Sequence, residues 1–230
     1  MAAFVLVHGA WHGGWCWRRV APKLRSAGHE VFTPTLTGLG ERAHLARPEV
    51  GLETHVRDVS AVLDFEDLRD AVVVGHSYAG MVIAGLPAGS ADRIAHLVYL
   101  DAYLPAPAQS LADIVGPARL ARWRRLARAG GADWLIPPPE DDIFDITDAA
   151  DAAWVRGKLT PHPLKTFTDP ACPAPPGRPE LARTWILCRP PGAPPGRPPG
   201  EGWQYRELAT GHDAMITQPT ELAELLLECT

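Results

Sequence analysis

Short apolar runs alternate along the chain with stretches of helical spacing. The runs "FVLVHG" (4–9), "HEVFTP" (29–34), "AVVVG" (71–75), "IAHLVYL" (94–100), "TWILC" (184–188) and "WQYREL" (203–208) predict strands. Between them, 17–27, 54–63 and 78–86 carry apolar residues at roughly helical intervals. The closing "PTELAELLLE" opens on Pro219 and Thr220, as a helix start does. This alternation predicts an α/β architecture in which crossover helices flank a mostly parallel sheet. From residue 104 to about 180 the pattern changes to helix-prone pieces, "ARLARWRRLARA" and "DAADAAWVRGKL", divided by "IPPPEDD" and "DPACPAPPGRP". We read that stretch as a small helical cap inserted into a single domain spanning 1–230. No internal repeat is visible, and the one low-complexity stretch is the proline and glycine run "PPGAPPGRPPG" at 190–200.

Composition narrows the field. A chain of 230 residues, 46% hydrophobic, can bury one sizeable core and is short for two typical domains. A formal charge of -5 offers no basic field for nucleic acid, and no apolar run approaches a bilayer span. The start "MAAFVLVHGA" reads as a core strand and not as an export signal, so the expected address is cytoplasmic, with no membrane partner. Cys16, Cys172, Cys188 and Cys229 show no C-x-x-C spacing, which argues against a zinc site or a disulfide framework. The expected partner is a small-molecule substrate, and the chain is expected to act as a monomer or homodimer.

The chemistry concentrates at "VVVGHSYAGM". Four apolar strand residues run into Gly75, His76, Ser77 and Tyr78, and a helix follows. A strand-to-helix turn this tight strains the serine backbone and needs small neighbours two residues away, which Gly75 and Ala79 supply. Ser77 is therefore the expected nucleophile. A serine hydroxyl needs a base to take its proton and a third group to orient that base. His212 in "ELATGHDAM", after the last predicted strand and before the last helix, is the candidate base; His96 and His162 are weaker ones. The anion that develops on a substrate carbonyl needs preorganised N–H donors. "HGAWHGGW" (8–15), following the first strand, can present the Ala10 N–H, with the Tyr78 N–H as the second donor. The same loop lacks the G-x-G-x-x-G order of a dinucleotide site. Trp11, His12 and Tyr103 are the expected substrate-binding residues, with Tyr78, Trp123, Trp134 and Trp154 as further aromatics near the presumed mouth.

Those segments, with "TPTLTGLGER", "LVYLDAYLP" and "KLTPHPLKTF", resemble the α/β-hydrolase superfamily, in particular small bacterial esterases similar to plant methyl esterases and hydroxynitrile lyases. The resemblance implies Ser77 as nucleophile, His212 as base, Ala10 and Tyr78 as oxyanion donors, and a cofactor-free, metal-free enzyme. The lyases of that group carry a threonine after the first-strand histidine and a lysine after the terminal one. Here those positions are Gly9 and Asp213, which disfavours cyanohydrin cleavage. Most of the superfamily carries its acid beyond the strand that here ends at Cys188, where this chain has Arg189, Pro190 and Pro191. Some members, haloalkane dehalogenases among them, place it one strand earlier, which points to Asp101 in "LVYLDAYLP". Glu201, or no side-chain acid at all, are the alternatives. The expected activity is a serine hydrolase cleaving a carboxylic ester or lactone of a small, largely apolar molecule through an acyl-enzyme. The alternatives are a lyase or cyclase of secondary metabolism, or a non-catalytic binder built on a disabled hydrolase.

Overall fold

The β-branched and leucine-rich runs form a sheet in which two inner strands, Ala3–Val7 and Ala71–His76, are buried throughout, as strands covered on both faces are. The computed structural model of the protein describes residues 1–140, 144–171, 181–190, 196 and 199–230. In chain order the elements are β1 (Ala3–Val7), α1 (Ala21–Ser26), β2 (Glu30–Phe32), α2 (Leu52–Phe65), β3 (Ala71–His76), α3 (Ala79–Ala84) and β4 (Ile94–Leu100). Then come α4 (Leu111–Val115), α5 (Pro117–Ala129), β5 (Leu135–Ile136), α6 (Ala149–Arg156), β6 (His162–Pro163) and α7 (Lys165–Thr168). The chain ends with β7 (Ala182–Cys188), β8 (Gln204–Leu208), α8 (Ala214–Thr217) and α9 (Pro219–Leu227). All six predicted strands are present.

These six form one sheet in the order β2-β1-β3-β4-β7-β8, each adjacent pair parallel. The chain leaves β1 toward one edge and returns through β3 to build the other. The loops after β1 and β3 therefore diverge at a switch point, the place where open α/β sheets hold their ligands. Every residue of β1 and β3 is buried. Helix α2 turns Leu52, Val56, Val59 and Leu63 onto this core.

The helix expected over 17–27 is split into a 3₁₀ segment, Gly14–Arg19, and the short α1. Pro22 in the first turn of α1 explains the break, since it has no N–H to donate to a preceding turn. Between β4 and β7 lie α4 to α7 and the antiparallel pair β5 and β6, in which Ile136 faces His162. That two-residue pairing is too short to leave a period in the sequence. Trp154 anchors this region to the core: Arg18, Arg19 and Lys158 all lie within 6 Å of its ring, at 5.5, 5.8 and 5.9 Å, and Trp15 meets it edge-on. Arg19 adds a paired contact to Asp151 on α6 at 2.7 and 2.6 Å.

Cys16, Cys188 and Cys229 are buried free thiols; Cys172 and most of the proline and glycine run lie outside the described residues. Among the described residues no helix is long and apolar enough to cross a membrane.

Candidate active site

Three successive strands of the sheet end in a non-glycine residue with left-handed backbone: Trp11 (φ 63) beyond β1, Ser77 (φ 53) beyond β3 and Asp101 (φ 43) beyond β4. Such conformations persist only where the surroundings over-determine them, and they gather at functional sites. Ser77 is fixed from three directions. Its N–H donates to Leu100 O at 3.1 Å, and its carbonyl accepts from Gly80 N–H at 3.1 Å and Tyr103 N–H at 3.0 Å. Gly80 is indispensable to that turn, because a Cβ there would sit 2.1 Å from the Tyr103 carbonyl oxygen. Gly9 permits a second close approach: its Cβ would lie 3.0 Å from His76 Nδ1 and 3.1 Å from Ser77 Cβ, so the β1 loop passes directly beside the serine.

That loop is gripped on every side. Trp11 N–H donates to His162 Nδ1 at 3.3 Å, Trp11 O accepts from Thr160 N–H at 3.0 Å, and the Trp11 indole N–H donates to Ile136 O at 3.2 Å. The Ala10 carbonyl accepts from His12 Nδ1 at 2.8 Å. Among the described residues the Ala10 and Tyr78 N–H groups themselves donate to nothing, and both residues line the same cavity as Ser77.

His212 reaches that cavity from the loop after β8. Its Nδ1 lies 2.5 Å from Asp101 Oδ2. The other Asp101 oxygen accepts the Cys188 N–H at 3.3 Å, and the Asp101 N–H donates to Ile186 O at 2.7 Å, so β7 steadies the carboxylate. A carboxylate only accepts, so Nδ1 carries the proton and Nε2 is left as the basic nitrogen. Burial opposes a charged His212 ring. The bond to Asp101 and the negative charges of Asp101, Asp213 and Asp145 outweigh it and hold the pKa above the ordinary histidine value of 6.5. Ser77 Oγ makes no hydrogen bond among the described residues, and Ser77 lines the same cavity as His212. Glu201 is exposed and precedes β8, at the end of the sheet opposite the one from which His212 emerges. His96 bonds Thr184 Oγ1 within the sheet, and His162 serves as the acceptor for Trp11.

The cavity, about 330 Å³, collects Ser77, His212, Asp101, Ala10, Tyr78, Trp11, His12 and Tyr103. Trp123 also lines it, whereas Trp134 and Trp154 do not. The rest of the wall escaped the sequence reading: Leu111, Phe144 and Phe167, with Arg119 and Asp145 as charged members. Phe144 lies parallel to the His212 ring at 6.3 Å between centroids and edge-on to His12 at 5.0 Å. The Cys188 thiol is pushed up by burial and by the charges of Asp101 and Asp213, so it stays protonated and is no rival nucleophile. Among the described residues no group of histidine, cysteine or carboxylate side chains is arranged to hold a metal ion.

The profile of the alpha/beta hydrolase family matches residues 4–225. A carbendazim hydrolyzing esterase from Nocardioides sp. (strain SG-4G) is 41% identical over 239 residues, covering 98% of each chain. Among solved structures, an extracellular α/β-hydrolase from a Paenibacillus species, described as sharing structural and functional homology with tobacco salicylic acid binding protein 2, superposes with a TM-score of 0.84. It is 25% identical, over 100% of this chain and 99% of that one. The Arabidopsis methylesterase MES16 shares the fold, with a TM-score of 0.72 at 22% identity over 99% and 98% of the two chains.

Proposed function

Since the chain belongs to the alpha/beta hydrolase family and is a carboxylic-ester hydrolase, we propose that it cleaves small, largely apolar esters through an acyl-enzyme on Ser77. The observation that carries this reading is the His212–Asp101 contact, which leaves Nε2 basic in the cavity that Ser77 also lines. In the first step Ser77 Oγ bonds to the ester carbonyl carbon while His212 Nε2 takes the hydroxyl proton. The carbonyl oxygen becomes an anion held by the Ala10 and Tyr78 N–H groups. Each such donor contributes on the order of 3 kcal/mol in comparable sites. Collapse of the intermediate expels the alcohol, which leaves with the proton from His212. Water, deprotonated by the same nitrogen, then releases the acid and restores the serine. The contact between Asp101 and His212 supports a working hydrolase over a non-catalytic binder.

The aromatic and aliphatic lining, Trp11, Tyr103, Leu111, Trp123, Phe144 and Phe167, suits an apolar or aromatic substrate. Carbendazim, named for the Nocardioides relative, is the first compound to assay. The test is a panel of 4-nitrophenyl and aryl esters, carbendazim and a charged glycoside ester, with mass spectrometry of protein labelled by a fluorophosphonate. We expect one label on Ser77, abolished by Ser77→Ala, and faster turnover of aromatic and medium-chain esters. An unlabelled Ser77 overturns the acyl-enzyme; equal rates across the panel overturn the substrate class.

A further inference from the structure

At the wall of the cavity, where His12 stands, lies a buried pair that the acyl-enzyme sequence does not use. His12 and Asp213 are 1% and 0% exposed, with Nε2 and Oδ2 3.0 Å apart. Both nitrogens of His12 face atoms that only accept: the Ala10 carbonyl at 2.8 Å and the Asp213 carboxylate. The ring is thus clamped between two acceptors, one in each of the two loops. Asp213 is itself held, its backbone carbonyl accepting from Ile216 and Thr217 N–H at 2.9 and 3.1 Å in the first turn of α8. Its second oxygen has no hydrogen bond among the described residues and lies 3.9 Å from His76 Nε2. That nitrogen donates instead to the His212 carbonyl at 3.0 Å.

The connections form one frame. His12 grips the carbonyl of the residue whose N–H serves the oxyanion, Asp213 is the chain neighbour of the base, and His76, the chain neighbour of the nucleophile, grips the base's own carbonyl. We infer that His12 and Asp213 are a positioning pair, locking the β1 loop to the His212 loop so that Ala10 N–H and His212 Nε2 meet the same substrate carbonyl. This rests on the acyl-enzyme reading. A buried polar pair is a poor stabiliser compared with apolar residues of equal volume, but it is demanding in geometry, and that makes orientation its natural use. It also gives His12 a different part from the substrate contact expected of it, since neither ring nitrogen is left for a ligand.

The two roles separate in kinetics. Losing a substrate contact raises KM, whereas misplacing the reacting groups by a fraction of an ångström lowers kcat, by ~100-fold in comparable cases. The experiment uses the full chain with 4-nitrophenyl butyrate and a fluorophosphonate. Asp213→Ala should lose ~100-fold in kcat and in labelling rate with KM little changed. Asp213→Asn, whose amide N–H can still bond a neutral His12 Nε2, should recover most of that loss. The double variant His12→Phe with Asp213→Ala strands no buried charge, so it should melt close to wild type and keep the kinetic loss. A folded double variant with wild-type kcat and labelling, or a loss confined to KM, overturns the pair. A wild-type protein that neither turns over the ester nor takes the label overturns the esterase reading and the pair with it.

Discussion

Asp101 Oδ2 and His212 Nδ1 stand 2.5 Å apart although 111 residues separate them in the chain, and they come from the ends of β4 and β8, two strands that do not touch. Strand β7 lies between, and its last residue, Cys188, donates its N–H to the other Asp101 oxygen. The carboxylate thus leans across the tip of an intervening strand, held by that strand's backbone.

Replacing Asp101 by Asn should preserve the fold yet favour the wrong histidine tautomer. The expected cost is about 10⁴-fold in kcat, as in other serine triads. Glu201→Gln should leave kcat unchanged, because Glu201 is exposed at the far end of the sheet. Steady-state kinetics of both variants on one aryl ester decide the matter. A dead Glu201→Gln beside an active Asp101→Asn would reverse the assignment.

The proposed reaction needs His212 neutral, and its pKa is held above the ordinary 6.5 in the folded protein. Activity should therefore fall on acidification from a pH higher than an unperturbed histidine would give. The groups that face the ring are Asp101, Asp213, Asp145 and His76. Removing the Asp145 charge should move the acid limb of the kcat/KM profile downward. A profile of Asp145→Asn that superposes on wild type would show that this carboxylate does not act on His212.

Four buried histidines should make the fold acid-sensitive. Burial drives His8 down to about 3 and His55 to about 4, and lowers His76 and His162 well below 6.5. On unfolding each regains its ordinary affinity, so the unfolded chain binds more protons. Their contribution is intact above pH 6.5 and drains away as the pH falls from there toward 4 and 3, by up to ~1.4 kcal/mol per pH unit for each ring. Urea midpoints at pH 7.5, 6 and 5 should decline in that order. A flat series would contradict the neutral, buried state of these rings.

Gly80→Ala should be far more damaging than an alanine at an ordinary helical position. The added methyl would meet the Tyr103 carbonyl at 2.1 Å and push apart the two backbone segments that bond at Ser77. We expect a lower melting temperature and loss of fluorophosphonate labelling together. A variant that melts and labels like wild type would mean the turn can widen freely.

The elbow, the β1 loop and His212 were legible because each is a local pattern: an apolar strand, a glycine, and a reactive side chain at fixed offset. Asp101 was legible only through its place at the end of the strand in "LVYLDAYLP", since nothing local tells an acid that orients a histidine from a loop cap. The His12–Asp213 pair spans 201 residues and left only a departure from the lyase pattern at position 213. Arg119 stayed hidden because the facing of α5 depends on packing that no period encodes, and Phe144 because it stands on a turn outside any helix or strand. Trp154 shows the converse. A tryptophan expected near the mouth packs instead under Arg18 and Arg19, a contact that composition cannot distinguish from a binding surface.

In the proposed mechanism β4 supplies the acid, so the described end of the connection between β7 and β8, residues 199–203, carries no reacting group. Its described Gly196 N–H simply bonds Glu207 at 3.2 Å, and Glu207 is also bonded by Tyr205 and Arg189. For protein engineering this makes the connection a candidate graft point. A peptide tag or a reporter domain inserted between residues 199 and 202 would stand at the end of the sheet away from the reacting groups. Catalytic rates of such a fusion should match those of the unmodified chain.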